Sequence, residues 1–117
     1  AIVPCYNDFA KIYAAQNNYT QASEYYLKVI GIYERSYGLE HPILGLGYCN
    51  LGIATKHLGE LEQAHDYFQK ALELQKAGYG LEHHHVAITL ENIGILYKDQ
   101  GNYTEALSHY EQSLEMR

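Results

Sequence analysis

The sequence has few of the residues that mark disulfide scaffolds and membrane spans. Its 117 residues include two cysteines, two prolines, one methionine and no tryptophan. Cys5 and Cys49 do not make a disulfide framework, and we expect two reduced thiols in a reducing, cytoplasmic compartment. No apolar run approaches the roughly 18 residues that span a bilayer, so no membrane partner is predicted.

Basic residues are also scarce, with 8 Lys and Arg against 14 Asp and Glu and a net charge of −6. Nucleic-acid binding requires Lys and Arg to neutralise phosphates, so the balance predicts no nucleic-acid partner. The start of the chain has neither a signal peptide nor an initiating Met, which suggests a fragment of a longer protein. The 47% of hydrophobic residues is enough for a folded core.

A repeat organises the sequence. The block Tyr37-Gly38-Leu39-Glu40-His41 returns as Tyr79-Gly80-Leu81-Glu82-His83, and the shift from position 37 to position 79 is 42 residues. The register continues through Asn50 and Asn92. Periods of 20 to 50 residues are typical of arrays in which each unit buries its apolar face on its neighbours.

Each unit contains two apolar faces with helical spacing. The first face predicts A helices at about 4–15, 43–57 and 85–99, and the second predicts B helices at about 19–36, 61–77 and 103–117. The inward residues of the A helices are Tyr6, Phe9, Ala10 and Tyr13, then Tyr48, Leu51, Gly52 and Thr55, then Leu90, Ile93, Gly94 and Tyr97. The sequence therefore predicts an all-α chain of three helical hairpins.

Residues typical of turns and helix caps lie between the predicted helices. Asn17, Gly59 and Gly101 follow the A helices and suit a left-handed backbone. Asn18 and Asn102 then stand at the starts of B helices in a capping pattern. Leu39, after Gly38, is predicted to make the hydrophobic contact that ends the first B helix.

This pattern resembles the tetratricopeptide repeat. The third copy reads Leu90, Ile93-Gly94, Tyr97, Ala106, Tyr110, Ser113 and Leu114. The usual period is 34 residues, and the 42-residue form is similar to the subclass found in kinesin light chains. The resemblance implies an α-α superhelix, a right-handed solenoid. It covers 1–117 as one array, with repeats at about 1–42, 43–84 and 85–117.

The resemblance also implies that the A helices line a concave groove that binds a peptide segment of a partner protein. Positions turned away from the hairpin interior are the candidates: Asp8, Lys11, Cys49, Asn50, Ile53, Lys56, His57, Glu91, Asn92, Ile95 and Lys98. An Asn side chain carries a donor and an acceptor, so Asn50 and Asn92 could pair with a peptide backbone. Contacts within the repeats are the alternative for both. Lys56 and Lys98 could attract an acidic peptide or simply favour the helix ends.

Histidines give the weakest candidate for chemistry. His83, His84 and His85, with His41 one repeat earlier, are suitable ligand types for zinc. Adjacent residues do not share a helix face, so we predict a solvated turn, no metal and no cofactor. No Ser/His/Asp or Cys/His set meets the geometry of a catalytic site, and the chain is predicted not to be an enzyme.

The sequence therefore predicts a protein-interaction scaffold with a peptide in its groove. The alternative is a structural spacer within a longer solenoid, with no groove ligand. Leu107 and Leu114 on the last helix lack a following repeat, so end-to-end self-association of the chain is also expected.

Overall fold

The computed structural model describes residues 2–79 and 84–116, and these fold into six α-helices. Their bounds are α1 Ile2–Ala15, α2 Tyr19–Tyr37, α3 Ile43–His57, α4 Leu61–Tyr79, α5 His84–Asp99 and α6 Tyr103–Met116. The A helices of the sequence are α1, α3 and α5, and the B helices are α2, α4 and α6. The predicted bounds lie within two residues of those observed.

The helices pair in chain order. Helix α1 packs on α2, α3 on α4 and α5 on α6, and successive hairpins meet through α2 with α3 and through α4 with α5. This arrangement confirms the predicted all-α repeat solenoid. Within residues 2–79 and 84–116, no helix is both long enough and apolar enough to cross a membrane.

The two predicted apolar faces form the core. Buried side chains alternate between A and B helices along one continuous cluster, which includes Ala10, Ala22, Tyr26, Ile30, Tyr48, Leu51, Ala64, Phe68, Leu72, Leu90 and Ile93. Small residues stand where the hairpin partners approach closely. A Cβ on Gly52 would lie 2.8 Å from the Phe68 ring, and one on Gly94 would lie 3.1 Å from the Tyr110 ring. Larger side chains there would overpack the hairpins.

The predicted turn chemistry is confirmed at the end of each A helix. Asn17, Gly59 and Gly101 have φ angles of 63°, 85° and 80°. Asn18 Oδ1 then accepts a hydrogen bond from the Gln21 backbone N–H at 3.4 Å, and Asn102 Oδ1 accepts one from Glu105 at the same distance. These caps satisfy backbone donors that the first helical turn leaves without partners.

Two residues with predicted apolar contacts are largely exposed. Phe9 is 48% exposed, whereas its repeat counterparts Leu51 and Ile93 are buried. The Phe9 ring still packs on Tyr25 of α2, with the ring centroids 5.4 Å apart. Leu39 is 67% exposed, so the contact predicted for it at the end of α2 is wrong.

Candidate functional site

The predicted groove residues lie along the three A helices with graded exposure. Asp8 and Lys11 on α1, His57 at the end of α3 and Lys98 on α5 are exposed. The half-buried candidates are Asn50, Ile53, Lys56, Glu91, Asn92 and Ile95. We call this set, without Cys49, the A-helix strip.

Cys49 does not lie on that strip. Its side chain is only 7% exposed and belongs to the core cluster. Burial raises the pKa of the Cys49 thiol, and hydrogen bonds from Asn92 and Thr89 offset this effect in part. A neutral, buried thiol is a poor nucleophile, so Cys49 functions as a packing residue between α3 and α5.

The two equivalent asparagines have different surroundings. Asn92 Nδ2 donates a hydrogen bond to Cys49 Sγ at 3.3 Å, which fixes its amide against the preceding A helix. The position equivalent to Cys49 one repeat earlier is Asn7, which is half-buried on α1. Asn92 therefore makes a contact between repeats, and a protein sulfur occupies part of its hydrogen-bonding capacity.

Asn50 lines a small pocket between the first and second hairpins. The pocket has a volume of about 60 Å³ and is bordered by Ala14, Tyr19, Tyr26, Asn50, Ile53 and Ala54. Its walls are apolar apart from the Asn50 amide and the two tyrosine hydroxyls. The arrangement offers room for a small apolar group beside a donor and an acceptor, which is the combination that peptide-binding sites use.

The corresponding place between the second and third hairpins carries an ion pair. Lys56 stands where Ala14 stands one repeat earlier, and its Nζ lies 3.7 Å from Asp99 Oδ2. Lys56 is thus directed to the end of α5. A partly exposed ion pair of this kind contributes little stability. The long Lys56 side chain nevertheless covers part of the surface between the two hairpins.

His57 sits at the rim of the open pocket. Its ring stacks on Tyr19 with the centroids 4.3 Å apart and the planes at 12°. Partial burial lowers the pKa of His57, the positive charge of Lys56 lowers it further, and Asp99 acts in the opposite direction. The lowered pKa favours a neutral imidazole.

The histidines considered as metal ligands make different contacts. His41 Nδ1 accepts a hydrogen bond from the Ile43 backbone N–H at 3.1 Å, and its ring contacts Tyr37. His84 and His85 stack with their centroids 4.5 Å apart, and His83 lies outside the described residues. Across residues 2–79 and 84–116, no three His, Cys, Asp or Glu side chains come together as a metal site.

The structure adds a polar cluster that sequence reasoning missed. Thr89 Oγ1 donates to Gln75 Oε1 at 2.6 Å, and Cys49 Sγ lies 3.9 Å from the same hydroxyl. Thr89 and Gln75 are 0% and 1% exposed. Comparison of the repeats could have indicated this cluster, because Thr89 and Gln75 occupy the positions that Gly47 and Tyr33 hold one repeat earlier.

The sequence itself matches a family model described as tetratricopeptide repeat, in two overlapping segments, 5–77 and 48–117. The chain belongs to the tetratricopeptide repeat family. None of the curated proteins matches it. Tetratricopeptide repeats generally act as protein-interaction scaffolds and are typically not enzymes, so the chain is assigned to the class of interaction scaffolds.

Solved structures share the fold of this chain. BtubC (BKLC) from P. vanneervenii is 25% identical with a TM-score of 0.89, and the match covers 98% of this chain and 45% of that one. The nearly identical TPR-like repeats assigned to a kinesin light chain of Podosopora anserina are 19% identical with a TM-score of 0.84, covering 97% and 54%. This tetratricopeptide chain resembles kinesin light chain repeats, and it spans about half the length of the solved chains it matches.

Proposed function

We propose that the A-helix strip binds an extended segment of a partner protein, centred on the pocket beside Asn50. The observation that carries this proposal is the pocket itself, where Asn50 and Ile53 border an opening between two hairpins. The Asn50 amide would pair with the peptide backbone, and a small apolar side chain would enter between Ala14 and Ile53. Membership in a family of interaction scaffolds supports this role.

Charge does not select the ligand of this strip. Lys11, Lys56 and Lys98 are balanced along the A helices by Asp8, Glu91 and Asp99. Three positive and three negative side chains leave no net charge on the A helices to attract an acidic peptide. Recognition would therefore rest on backbone pairing and on the apolar pocket, which fits an uncharged segment with a small side chain.

A displayed library of unstructured peptides provides the test. Peptides selected on the wild-type chain should lose at least about tenfold in affinity on the Asn50→Ala/Asn92→Ala variant and on Ile53→Glu. Gln63→Ala, an exposed change on a B helix, should leave affinity within about twofold. Circular dichroism checks that every variant keeps its helices. Selected peptides that bind all variants equally would show that the strip is not the binding surface.

A spacer that assembles end to end is the second candidate, and it rests on two exposed faces. Leu107 and Leu114 on α6 are 61% and 74% exposed, although Ile30 and Leu72, the counterparts of Leu114, are 4% and 7% exposed. On α1, Ile12 is 56% exposed. An A helix covers the equivalent face in both earlier repeats, so α1 of a second copy would suit α6.

Sedimentation velocity separates the two candidates. Self-association that is abolished by Leu114→Lys and by Ile12→Lys, one change on each face, would support the spacer. The same two variants should leave peptide binding at the pocket unchanged, because neither residue borders it. A chain that stays monomeric over the whole concentration range would rule the end-to-end contact out.

A further inference from the structure

A larger cleft lies on the B-helix side of the molecule, away from the A-helix strip. It has a volume of about 690 Å³ and is bordered by Glu34, Leu39, Glu40, Lys70, Glu73, Leu74, Ala77 and Gly78. Helix α2 and the loop after it form one wall, and α4 forms the other. Its volume falls within the range of about 300–1,000 Å³ that is usual for ligand sites. We call it the inter-repeat cleft.

The loop that closes the cleft is held in place by several contacts. The Gly38 backbone N–H donates to the Glu34 carbonyl at 3.0 Å. Pro42 packs so tightly on α4 that a Cβ on Gly78 would lie 2.2 Å from its ring. His41 accepts the N–H of Ile43. A wall fixed in this way does not have to be ordered when a ligand binds, which favours affinity.

The floor of the cleft is apolar. Leu39 is 67% exposed at its mouth, Leu74 is half-buried against the core, and Ala77 completes the surface. The loop holds Leu39 at the mouth instead of at the contact expected from its place after Gly38. An exposed leucine beside a concave surface is a suitable anchor for an apolar side chain of a partner.

The rim of the cleft is acidic, and its carboxylates come from three elements. Glu34 belongs to α2, Glu40 to the loop and Glu73 to α4. The one basic residue of the lining, Lys70, has its ammonium 5.0 Å from the centroid of the Tyr48 ring. Lys28, its counterpart one repeat earlier, likewise lies over the rings of Tyr6 and Tyr25. The contact with the A-helix tyrosine, Tyr48 for Lys70 and Tyr6 for Lys28, thus recurs between repeats. The three carboxylates outnumber the single cation and make the rim negative.

We propose that the inter-repeat cleft binds a peptide segment in which apolar side chains are flanked by lysine or arginine. The apolar residues would contact Leu39 and Leu74, and the basic residues would pair with carboxylates spread around the rim. The separation of those carboxylates over three elements suits an extended chain with several cations. This site is independent of the A-helix strip, whose lysines are balanced by carboxylates on the A helices.

Fluorescence polarisation with a labelled peptide tests this proposal. The probe contains two leucines flanked on each side by arginines, and the comparison peptides replace the arginines by glutamates or the leucines by serines. We expect binding of the arginine–leucine probe alone, and we expect it to weaken as NaCl rises from about 50 mM to about 500 mM. Absence of binding at low salt would overturn the proposal.

Matched charge variants distinguish probe binding at the cleft from a general effect of the net charge of the chain. Glu40→Lys/Glu73→Lys should weaken probe binding by at least about tenfold. Glu24→Lys/Glu111→Lys makes the same change in charge at exposed positions outside the cleft and should cost less than about twofold. Equal losses in the two double variants would mean that the probe follows overall charge, which would overturn the assignment.

Two further variants change the apolar lining of the cleft and the A-helix strip. Leu39→Ser should weaken probe binding by about fivefold without lowering the melting temperature, because the side chain it replaces is exposed. Asn50→Ala should leave probe binding unchanged, so failure of the cleft and failure of the A-helix strip are distinguishable. Probe binding that is unaffected by Leu39→Ser would contradict the role of the apolar floor.

Discussion

The contact between the first and second hairpins and the contact between the second and third occupy the same register but differ in chemistry. In the first contact, Gly47 packs against Ile30, and a Cβ on the glycine would lie 2.7 Å from Ile30 Cγ1. In the second, Thr89 takes the place of Gly47 and donates a hydrogen bond to Gln75. The first contact is apolar and close, whereas the second contains a hydrogen bond between polar side chains.

The surfaces above the two contacts differ in the same way. Ala14 leaves a pocket open beside Asn50 in the first. In the second, Lys56 pairs with Asp99, and Asn92 is bonded to Cys49. A repeat can therefore preserve its helix packing while one copy keeps an open surface and the next covers it. Substitutions on both sides of this difference test it, beginning with the largest expected effect.

Gly47→Val should destabilise the chain most, by about 3 kcal/mol, because the new side chain meets Ile30 in the closest part of the first contact. Chemical denaturation measures this loss. Gly31→Ala is the matched control, since nothing lies within 4 Å of a Cβ there, and it should be neutral or stabilise by up to about 1 kcal/mol. Adding Ile30→Ala to Gly47→Val should restore part of the loss. Equal stability of the two glycine variants would contradict the close contact.

Thr89→Val should cost about 2 kcal/mol, because it leaves the buried Gln75 amide without the hydroxyl that now donates to it. The double variant Thr89→Val/Gln75→Met removes both partners and should be more stable than the Thr89→Val single variant. A double-mutant cycle gives the coupling energy of the pair. Additive losses would indicate that the hydrogen bond does not join the second and third hairpins.

Substitution of the two equivalent asparagines should change stability by different amounts. Asn92→Ala should lower stability by about 1 kcal/mol, since Cys49 loses a hydrogen-bond donor. Asn50→Ala should leave stability within about 0.5 kcal/mol, because its side chain borders an open pocket. Thermal melts of the two variants, measured side by side, make the comparison. Equal changes in melting temperature would remove the distinction between the covered and the open surface.

Lys56→Ala should have the smallest effect on stability, below about 0.5 kcal/mol, because its ion pair is partly exposed. Its clearer consequence is at His57, whose pKa should rise when the neighbouring positive charge is removed. Asp99→Ala should lower the same pKa further. NMR titration of the His57 ring measures both shifts, and opposite signs are the expected result.

The lowered pKa of His57 also determines how this residue makes the stability of the folded chain depend on pH. The unfolded chain takes up a proton on this ring at the ordinary histidine pKa of about 6.5, and the folded chain takes it up at lower pH. Stability from this group is therefore fully present above pH 6.5 and is lost as the pH falls below it. Lys56→Ala should reduce that loss, which denaturation at matched pH values can detect.

The hairpins could be predicted because their signals are local and repeated. The spacing of residues such as Leu90 and Ile93 predicts a helix face, and Asn17, Gly59 and Gly101 predict the turns that follow. The packing of Gly52 and Gly94 against aromatic rings also follows from the register. These features depend on neighbours within one repeat, and the same pattern appears up to three times in the sequence.

The surface was harder to predict because it depends on differences between copies. The register alone treats Asn50 and Asn92 as equivalent, but Cys49 lies beneath only the second of them. It likewise treats Lys56 as a free groove cation, although Asp99 on the next A helix pairs with it. The exposure of Leu39 depends on how its loop packs across α4, a contact between segments that are distant in sequence.

The contact between Pro42 and Gly78 links the evolutionary histories of two positions in neighbouring repeats. While the proline ring stays against α4, position 78 cannot accept a Cβ without displacing it. A substitution at Gly78 should therefore cost less stability when position 42 has already lost its proline ring.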